Sequence, residues 1–272
     1  MLGLDKLFKN RATETEAIVF KRIEFGGQSF ELAGISSDIY FQNLDLTRKA
    51  NQPLCDIIRN SLKPDSIIFD VGANIGLTTV LFNKALVRPT VYSFEPGKKA
   101  FRCLTETLRR NGLPNDRTFN FGLGETSKSV PFYEGPMLAG AHAVLENSLE
   151  TPITTSIEIR TIDDVVRDNK IDKIDFIKID VEGVEQDVIN GAKQTLKAMR
   201  PRVFVEFNSY TLIAVRNTNP RDFLDELLSN FSTVSTWKDS RWNPIRSPGD
   251  QHDFIYTNLV TNTCVSDLLC EV

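Results

Sequence analysis

The chain has 272 residues, of which 41% are apolar, and a formal net charge of −4. This length favours one large α/β domain with appendages over two small domains. A nucleic-acid surface is not expected, because phosphate binding usually shows as clustered Lys and Arg and the longest basic cluster is Arg109-Arg110. Four scattered cysteines without zinc spacing, and no apolar run of about 20 residues, indicate a reduced cytoplasmic protein without a transmembrane segment.

The N-terminal region contains a hairpin signal followed by a helix signal. Residues 16–33 are predicted to form a β-hairpin, because two alternating segments flank Gly26-Gly27. A helix is predicted from about Thr47 to Leu62, ending before Pro64. We expect residues 1–62 to form a hairpin-and-helix extension beside the substrate, and residues 63–272 to form the main domain.

The most informative segment begins at Ile67 and runs through a buried strand, a glycine turn, a helix start and a second strand. Gly72 and Gly76 let the backbone approach a ligand closely, and a helix starting near Gly76 directs its free N–H groups at the same place. Glu95 ends the second strand and can accept both hydroxyls of a ribose. The segment therefore predicts a site for the adenosine half of a cofactor.

The spacing of this turn distinguishes between cofactors. Nicotinamide and flavin enzymes place G-x-G-x-x-G here, whereas this chain has Asp70-x-Gly72-x-x-x-Gly76, with Asn74 in place of the second glycine. This pattern resembles the first two motifs of S-adenosylmethionine (SAM) methyltransferases. Asp70 can pair, directly or through water, with the amino-acid end of such a ligand. The alternative is an ordinary βαβ turn in which Asn74 caps the helix.

Strands and helices alternate after Ile67, which is typical of parallel βαβ units. Strands are predicted at 66–71, 90–95, 117–122, 174–180 and 202–207, and helices at about 76–86, 97–111, 184–198 and 220–230. An insertion holds two short strands, 129–133 and 156–160, joined by an irregular stretch over 135–152. Segments 231–237 and 252–258 are predicted to pair as a terminal antiparallel hairpin. Together these elements predict an α/β, Rossmann-like, seven-stranded SAM-dependent methyltransferase fold.

Several motifs together resemble those of the FkbM-type methyltransferases. They are Ile68-Phe-Asp-Val-Gly-Ala-Asn-Ile-Gly, Ser93-Phe-Glu-Pro, Arg160-Thr-Ile-Asp-Asp-Val, Asp175-Phe-Ile-Lys-Ile-Asp-Val-Glu-Gly-Val-Glu and Val205-Glu-Phe. The resemblance covers roughly residues 50–257, and the segment from Lys178 to Glu185 is the most diagnostic. It implies SAM-dependent O-methylation of a hydroxyl on a saccharide or natural-product small molecule.

The resemblance also implies positions for the cofactor. Those at the methionine end are Asp70, Gly72, Ala73, Asn74 and Gly76, with Asp180 nearby. Glu95 and Pro96 would meet the ribose, and Asn120, Gly122 and Leu123 the adenine edge. The third strand end lacks the acidic residue that some relatives of the fold use for adenine.

Four polar residues follow or end the fourth and fifth strands: Asp180, Glu182, Glu206 and Asn208. They should converge near the sulfonium, because ligands lie beyond the carboxyl ends of parallel strands. Asp180 or Glu182 can take the proton of the acceptor hydroxyl. His142, in the insertion, is another candidate base; otherwise it is an exposed loop residue.

A metal is a further possibility at these strand ends. Asp180, Glu206 and Asn208 offer oxygen ligands that could hold Mg²⁺ or Ca²⁺ against a diol. Carboxylates at strand ends often cap the next helix instead.

Two other functions compete with methyl transfer. One is a catalytically inactive SAM-fold subunit that binds or scaffolds; the other, a nicotinamide-dependent oxidoreductase, is disfavoured by Asn74 and the terminal hairpin. We expect residues 34–60, 135–152 and 208–220 to wall the acceptor pocket.

Overall fold

A computed structural model describes residues 17–44, 51–133, 142–143 and 155–272. The strands are β1 Ile18–Phe25, β2 Gln28–Ile35, β3 Ile67–Val71, β4 Thr90–Phe94, β5 Thr118–Phe119, β6 Gly122–Leu123, β7 Lys128–Tyr133, β8 His142–Ala143, β9 Thr155–Arg160, β10 Phe176–Ile179, β11 Arg202–Asn208, β12 Thr233–Lys238, β13 Arg241–Pro244 and β14 Val265–Glu271. The helices are α1 Ile39–Gln42, α2 Gln52–Asn60, α3 Leu77–Ala85, α4 Lys98–Arg110, α5 Ile162–Asp168, α6 Glu185–Asn190, α7 Lys193–Met199, α8 Ser209–Arg216, α9 Pro220–Asn230 and α10 Pro248–Tyr256.

The main sheet has the strand order β13-β12-β14-β11-β10-β3-β4-β5. Strands β5, β4, β3, β10 and β11 are parallel, and β14 enters antiparallel between β11 and β12. This arrangement confirms the predicted Rossmann-like methyltransferase fold. The sheet has eight strands in the described part of the chain rather than seven, because β13 adds an edge strand beside β12.

Both faces of the central strands are buried, so neighbouring residues on one strand enter different cores. On β3, Ile68 belongs to the core shared with α3 and α4, and Phe69 to the core shared with α6 and α9. The same alternation separates Phe204 from Val205 on β11. These cores hold the strand ends, and therefore the residues at those ends, in fixed positions.

The N-terminal hairpin forms as predicted and packs on α4. Its turn residues Gly26 and Gly27 have φ values of 57° and 79°, as a tight two-residue hairpin requires. The backbone N–H of Ala33 donates to Oγ1 of Thr107 at 2.9 Å. Apolar residues of β2 share a core with α2, α3 and α4. The helix predicted over 47–62 is seen from Gln52 to Asn60, and residues 47–50 lie outside the described residues.

A second sheet, of order β6-β9-β7-β8, is built largely from the insertion. Its strands β7 and β9 match the two short strands predicted there and pair antiparallel. The third strand, predicted as 117–122, is interrupted: β5 joins the main sheet and β6 joins this second one. Most of the predicted irregular stretch 135–152 lies outside the described residues.

The predicted terminal hairpin is wrong in its second strand. Residues Pro248–Tyr256 form α10, and the partner of β12 in the sheet interior is β14. The apolar residues 254–256 belong to a helix because a capping box lies just upstream. Ser247 accepts the N–H of Asp250 at 3.2 Å, and Asp250 accepts the N–H of Ser247 at 2.8 Å.

The helix predicted over 184–198 is divided into α6 and α7 at Gly191. A Cβ at Gly191 would lie 2.0 Å from the carbonyl oxygen of Gly124, so the chain there passes directly over another loop. The helix predicted over 220–230 is confirmed at both ends. Within the described ranges, no helix combines the length and apolarity needed to cross a bilayer.

Candidate active site

A cavity of about 280 Å³ lies at the carboxyl ends of four neighbouring parallel strands, β4, β3, β10 and β11. Its lining includes one residue from each strand end, in the order Glu95, Gly72, Asp180 and Glu206. Strands lie about 4.8 Å apart, so this row extends about 14 Å across the sheet. The sequence placed these residues at one edge, and the structure brings them around one cavity.

Glu95 is held rigidly at one end of this row. It is 7% exposed, and its two carboxylate oxygens accept the backbone N–H groups of Asn74 at 2.9 Å and Gly97 at 2.7 Å. A carboxylate oxygen can accept more than one hydrogen bond, so Glu95 keeps capacity for ligand hydroxyls. Asn74 lines the cavity, and its buried Oδ1 has no hydrogen-bond partner in the described part of the chain.

The two predicted cofactor glycines differ in what they approach. Gly72 lines the cavity with φ of 78°, and a Cβ there would lie 1.8 Å from the carbonyl oxygen of Asp180. Gly76 has φ of 94°, but its Cβ would point at Leu104, 2.7 Å away on α4. Gly72 therefore lets the β3 and β10 loops meet, and Gly76 lets α3 pack on α4.

Asp70 lies beneath the cavity rather than among the described residues that line it. It is fully buried, and its Oδ2 accepts the hydroxyl groups of Thr78 at 2.8 Å and Thr79 at 2.6 Å. Its Oδ1 lies 3.6 Å from Nζ of Lys178. The carboxylate thus anchors the first turn of α3 and faces a buried ammonium group.

The sequence predicted no role for Lys178, which the structure places in the site. It is 4% exposed; its Nζ donates to the carbonyl of Gly72 at 2.9 Å and lies 3.3 Å from Oδ2 of Asp180. Burial acts to lower the pKa of Lys178, but the charges of Asp180 and Asp70 outweigh it and raise the pKa. The signal in the sequence was a lysine inside an otherwise apolar buried strand.

Two further carboxyl groups, Glu182 and Glu206, line the cavity beside Asp180. Burial, and then the charges of Asp180 and Glu185, raise the pKa of Glu182 to about 8. Burial, Asp180 and Glu182 raise the pKa of Glu206 well above its ordinary value. Each ionised acid in this group therefore disfavours ionisation of the others.

The charge of Asp180 also contributes to raised pKa values at two acids just outside the cavity lining. Asp267 is the register partner of Glu206 on β14, and burial followed by the charge of Asp180 raises its pKa to about 8. Glu185 is fully buried; burial raises its pKa to about 7, although its Oε1 accepts the N–H groups of Val181 and Gly183.

Next to Glu95, away from Asp180, the wall of the cavity is apolar. Its wall contains Gly122 and Leu123 as predicted, with Pro96, and adds three side chains of the second sheet: Phe132, Ile157 and Ile159. Asn120 is placed differently, because its Nδ2 donates to the carbonyls of Glu95 at 2.9 Å and Pro96 at 3.0 Å. The sequence identified the inserted strands but gave no signal for which side chains face the cavity.

The residues predicted as metal ligands do not assemble as a set. Asn208 caps α8, where its Oδ1 accepts the N–H of Thr211 at 3.3 Å, and Asp180 faces the ammonium group of Lys178. Among the described residues there is no group of three or more His, Cys, Asp and Glu residues placed to hold a metal. His142 lies in β8, opposite Tyr133 of β7.

The N-terminal region also reaches the cavity. Tyr40 of α1 and Asn51 line it, within the predicted wall 34–60. Burial, and then the charge of Asp180, raise the pKa of the Tyr40 phenol, so it stays protonated. From 208–220 no residue appears in the described lining, and 135–152 is described only at 142–143.

Comparisons with known proteins identify the family of this chain. The sequence profile of the methyltransferase FkbM domain matches residues 70–230. Hexuronic acid methyltransferase AglP of Haloferax volcanii is 27% identical over 157 residues, 56% of this chain and 60% of AglP. The 2-O-methyltransferase NoeI of Sinorhizobium fredii is 29% identical over 192 residues, 64% of this chain and 75% of NoeI.

A crystal structure of an FkbM methyltransferase from Methylobacillus flagellatus is 20% identical, with a TM-score of 0.46, over 68% of this chain and 43% of that one. The chain thus spans less than two thirds of the length of some relatives that it matches. The profile match covers more than half of the 272 residues and includes β4, β10, β11 and the last two residues of β3. The chain belongs to the FkbM methyltransferase family.

Proposed function

We propose that the protein transfers a methyl group from SAM to a hydroxyl of a saccharide or natural-product small molecule. The observation that carries the proposal is the row of Glu95, Gly72 and Asp180 around one cavity at the parallel strand ends. Membership of the FkbM family supports it. The names of AglP and NoeI, which refer to a hexuronic acid and to 2-O-methylation, support a hydroxyl acceptor.

The residues divide the binding of SAM between them. Glu95 accepts the ribose hydroxyls, and its two backbone hydrogen bonds hold it ready to do so. The unpartnered Oδ1 of Asn74 accepts the ammonium group of the methionine part. The apolar wall of Leu123, Phe132 and Ile157 excludes water from the adenine. When bound, SAM supplies an electrophilic methyl group on a positively charged sulfur.

At the other end of the row the protein must orient a hydroxyl and take its proton. Asp180 and Glu182 are the carboxylates proposed for this step, since both line the cavity. Lys178 holds the Asp180 carboxylate in place at 3.3 Å. Orientation of the hydroxyl in line with the methyl group can supply about 7–11 kcal/mol of the rate enhancement.

A small molecule is proposed as the acceptor in preference to a nucleic acid. The net charge of −4 and the carboxylates at the Asp180 end oppose the approach of a phosphate backbone. No step is assigned to Mg²⁺ or Ca²⁺, because Asn208 and Asp180 are engaged elsewhere.

The test is a binding titration followed by a transfer assay. Calorimetry should show binding of SAM and S-adenosylhomocysteine (SAH) and none of NADH. Radiolabelled SAM is then incubated with monosaccharides, methyl glycosides, phenolic natural products and, separately, RNA, each with and without EDTA. Methyl transfer to a hydroxyl compound supports the proposal; tight NADH binding without SAH binding contradicts it. SAH binding with no transfer to any acceptor favours the inactive binding subunit.

A further inference from the structure

The cavity carries a charge pattern that restricts its ligands, and this inference rests on the proposed function. We infer that the Asp180 end of the cavity takes neutral or positively charged groups and rejects negatively charged ones. The acceptor is therefore a hydroxyl compound with no carboxylate or phosphate beside the reacting hydroxyl. The same feature makes the site prefer a cation at the position of the cofactor sulfur.

The first observation is that the basic group of the cavity is already occupied. Lys178 is the one basic residue among the described residues that line it. A lysine ammonium has three N–H donors. Nζ of Lys178 donates to the carbonyl of Gly72 at 2.9 Å and lies at ion-pair distance from Asp180, 3.3 Å, and Asp70, 3.6 Å. The positive charge of this lysine is thus already shared by two carboxylates of the protein.

The second observation is the charge balance around this lysine. Two carboxylates, Asp70 and Asp180, share one ammonium group, which leaves one negative charge uncompensated at the cavity. Glu182 and Glu206 line the same end, and neither side chain has a hydrogen bond or ion pair to a described residue. An anion would meet the uncompensated charge whether or not these two acids are ionised.

The third observation concerns what the end can bind well. Carboxyl oxygens accept hydrogen bonds from sugar hydroxyls, and the protonated phenol of Tyr40 can donate one. A neutral polyol therefore finds partners here, and so does a cation. A hexuronic acid, for which the relative AglP is named, does not. We therefore expect this chain to differ from AglP in the charge of its acceptor.

The experiment uses three cofactor analogues that differ in charge at one position. SAM carries a sulfonium, sinefungin a protonated amine in its place, and SAH a neutral thioether. Calorimetry on the wild type should give sinefungin an affinity at least about tenfold higher than SAH, with SAM on the side of sinefungin. Equal affinities, or tighter SAH, would overturn the inference while leaving the proposed function intact. No binding of any analogue would overturn the proposed function.

One variant assigns the preference to the uncompensated charge. Asp180→Asn keeps the size of the side chain, leaves Lys178 paired with Asp70 alone, and should reduce the ratio of sinefungin to SAH affinity toward one. Glu158→Gln, which changes an exposed acid on β9, should leave the ratio unchanged. An undiminished ratio in Asp180→Asn would overturn the inference.

A matched pair of acceptors gives a second readout. Methyl glucoside and methyl glucuronide differ in the group at one carbon, and the transfer assay should favour the glucoside. Faster or equal methylation of the glucuronide would overturn the inference. Where neither is methylated, the analogue titration decides.

Discussion

The two ends of the cavity hold their carboxylates in different ways. At the Glu95 end, the carboxylate is fixed by two backbone N–H groups from neighbouring loops. At the Asp180 end, Asp180 and buried Asp70 share one lysine, and the pKa values of Glu182 and Glu206 are raised. Glu95 is therefore a rigid hydrogen-bond acceptor, whereas Asp180 acts on its neighbours mainly through its charge. The fixed carboxylate of Glu95 suits recognition of the cofactor, and the group of acids around Asp180 suits proton transfer.

The largest effect is expected where the two ends meet, at Gly72. Gly72→Ala places a Cβ 1.8 Å from the carbonyl oxygen of Asp180, so the β3 and β10 loops must separate. We expect the free energy of unfolding to fall by about 4 kcal/mol or more. Gly27→Ala has a similar φ of 79° but open space around the Cβ, and should cost only about 1–2 kcal/mol. Urea unfolding of both variants measures the difference, and equal losses would show that only backbone strain matters.

The next effect tests whether the Asp180 end depends on its single lysine. Lys178→Met removes the partner of fully buried Asp70 and should destabilise the protein by about 3–5 kcal/mol. Lys173→Met breaks an exposed ion pair to Asp175 at 2.7 Å and should cost about 1 kcal/mol or less. Unfolding midpoints that move equally in the two variants would contradict the role given to the buried lysine.

The Glu95 end is tested by cofactor affinity. Glu95→Ala removes a charged hydrogen-bond acceptor and should weaken SAH binding by about 1.5–3 kcal/mol. Part of this loss comes from the N–H groups of Asn74 and Gly97, which lose their acceptor. Glu106→Ala changes a half-buried residue of α4 that pairs with Arg109; it is the control and should bind SAH normally. An unchanged dissociation constant for SAH in Glu95→Ala would mean that the ribose is held elsewhere.

The smallest effect is a pH dependence that belongs to the Asp180 end. Burial and neighbouring acids raise the pKa of Glu182 from 4.5 to about 8, so the folded state binds a proton that the unfolded state releases. This contribution to stability is present below about pH 4.5 and is lost as the pH rises through about 8. Between about pH 5 and pH 8.5 the wild type should lose on the order of 1–2 kcal/mol more stability than Glu182→Gln. Parallel curves for the two proteins would contradict the raised pKa.

The sequence predicted the Glu95 end better than the Asp180 end. The turn around Gly72 and the strand end at Glu95 follow from local spacing, and the structure places both at the cavity. Lys178 was missed as a site residue, because its importance comes from Asp70 and Gly72, more than a hundred positions away. Local patterns do not report such long-range partners.

The errors in the fold have two different causes. Segment 252–258 was predicted as a strand, but the local capping box of Ser247 and Asp250, which the prediction did not use, starts a helix there. Gly191 divides a predicted helix because the backbone of Gly124 passes 2.0 Å from where its Cβ would be. Helix 220–230, which has its own cap in Asn219 and Pro220 at its start, was predicted correctly. A local start signal makes an element predictable when the signal is used, whereas a break that accompanies a distant contact, as at Gly191, leaves no local signal.

The docking of the N-terminal hairpin on α4 affects how the protein can be shortened. The family profile begins at Asp70, so a fragment chosen by similarity alone would omit β1, β2, α1 and α2. That fragment would bare the apolar face of α4 around Leu104 and leave the hydroxyl of Thr107 without its partner Ala33. It would also open the cavity wall at Tyr40. The region that matches the family profile is therefore shorter than the segment that must be expressed to keep the cavity intact.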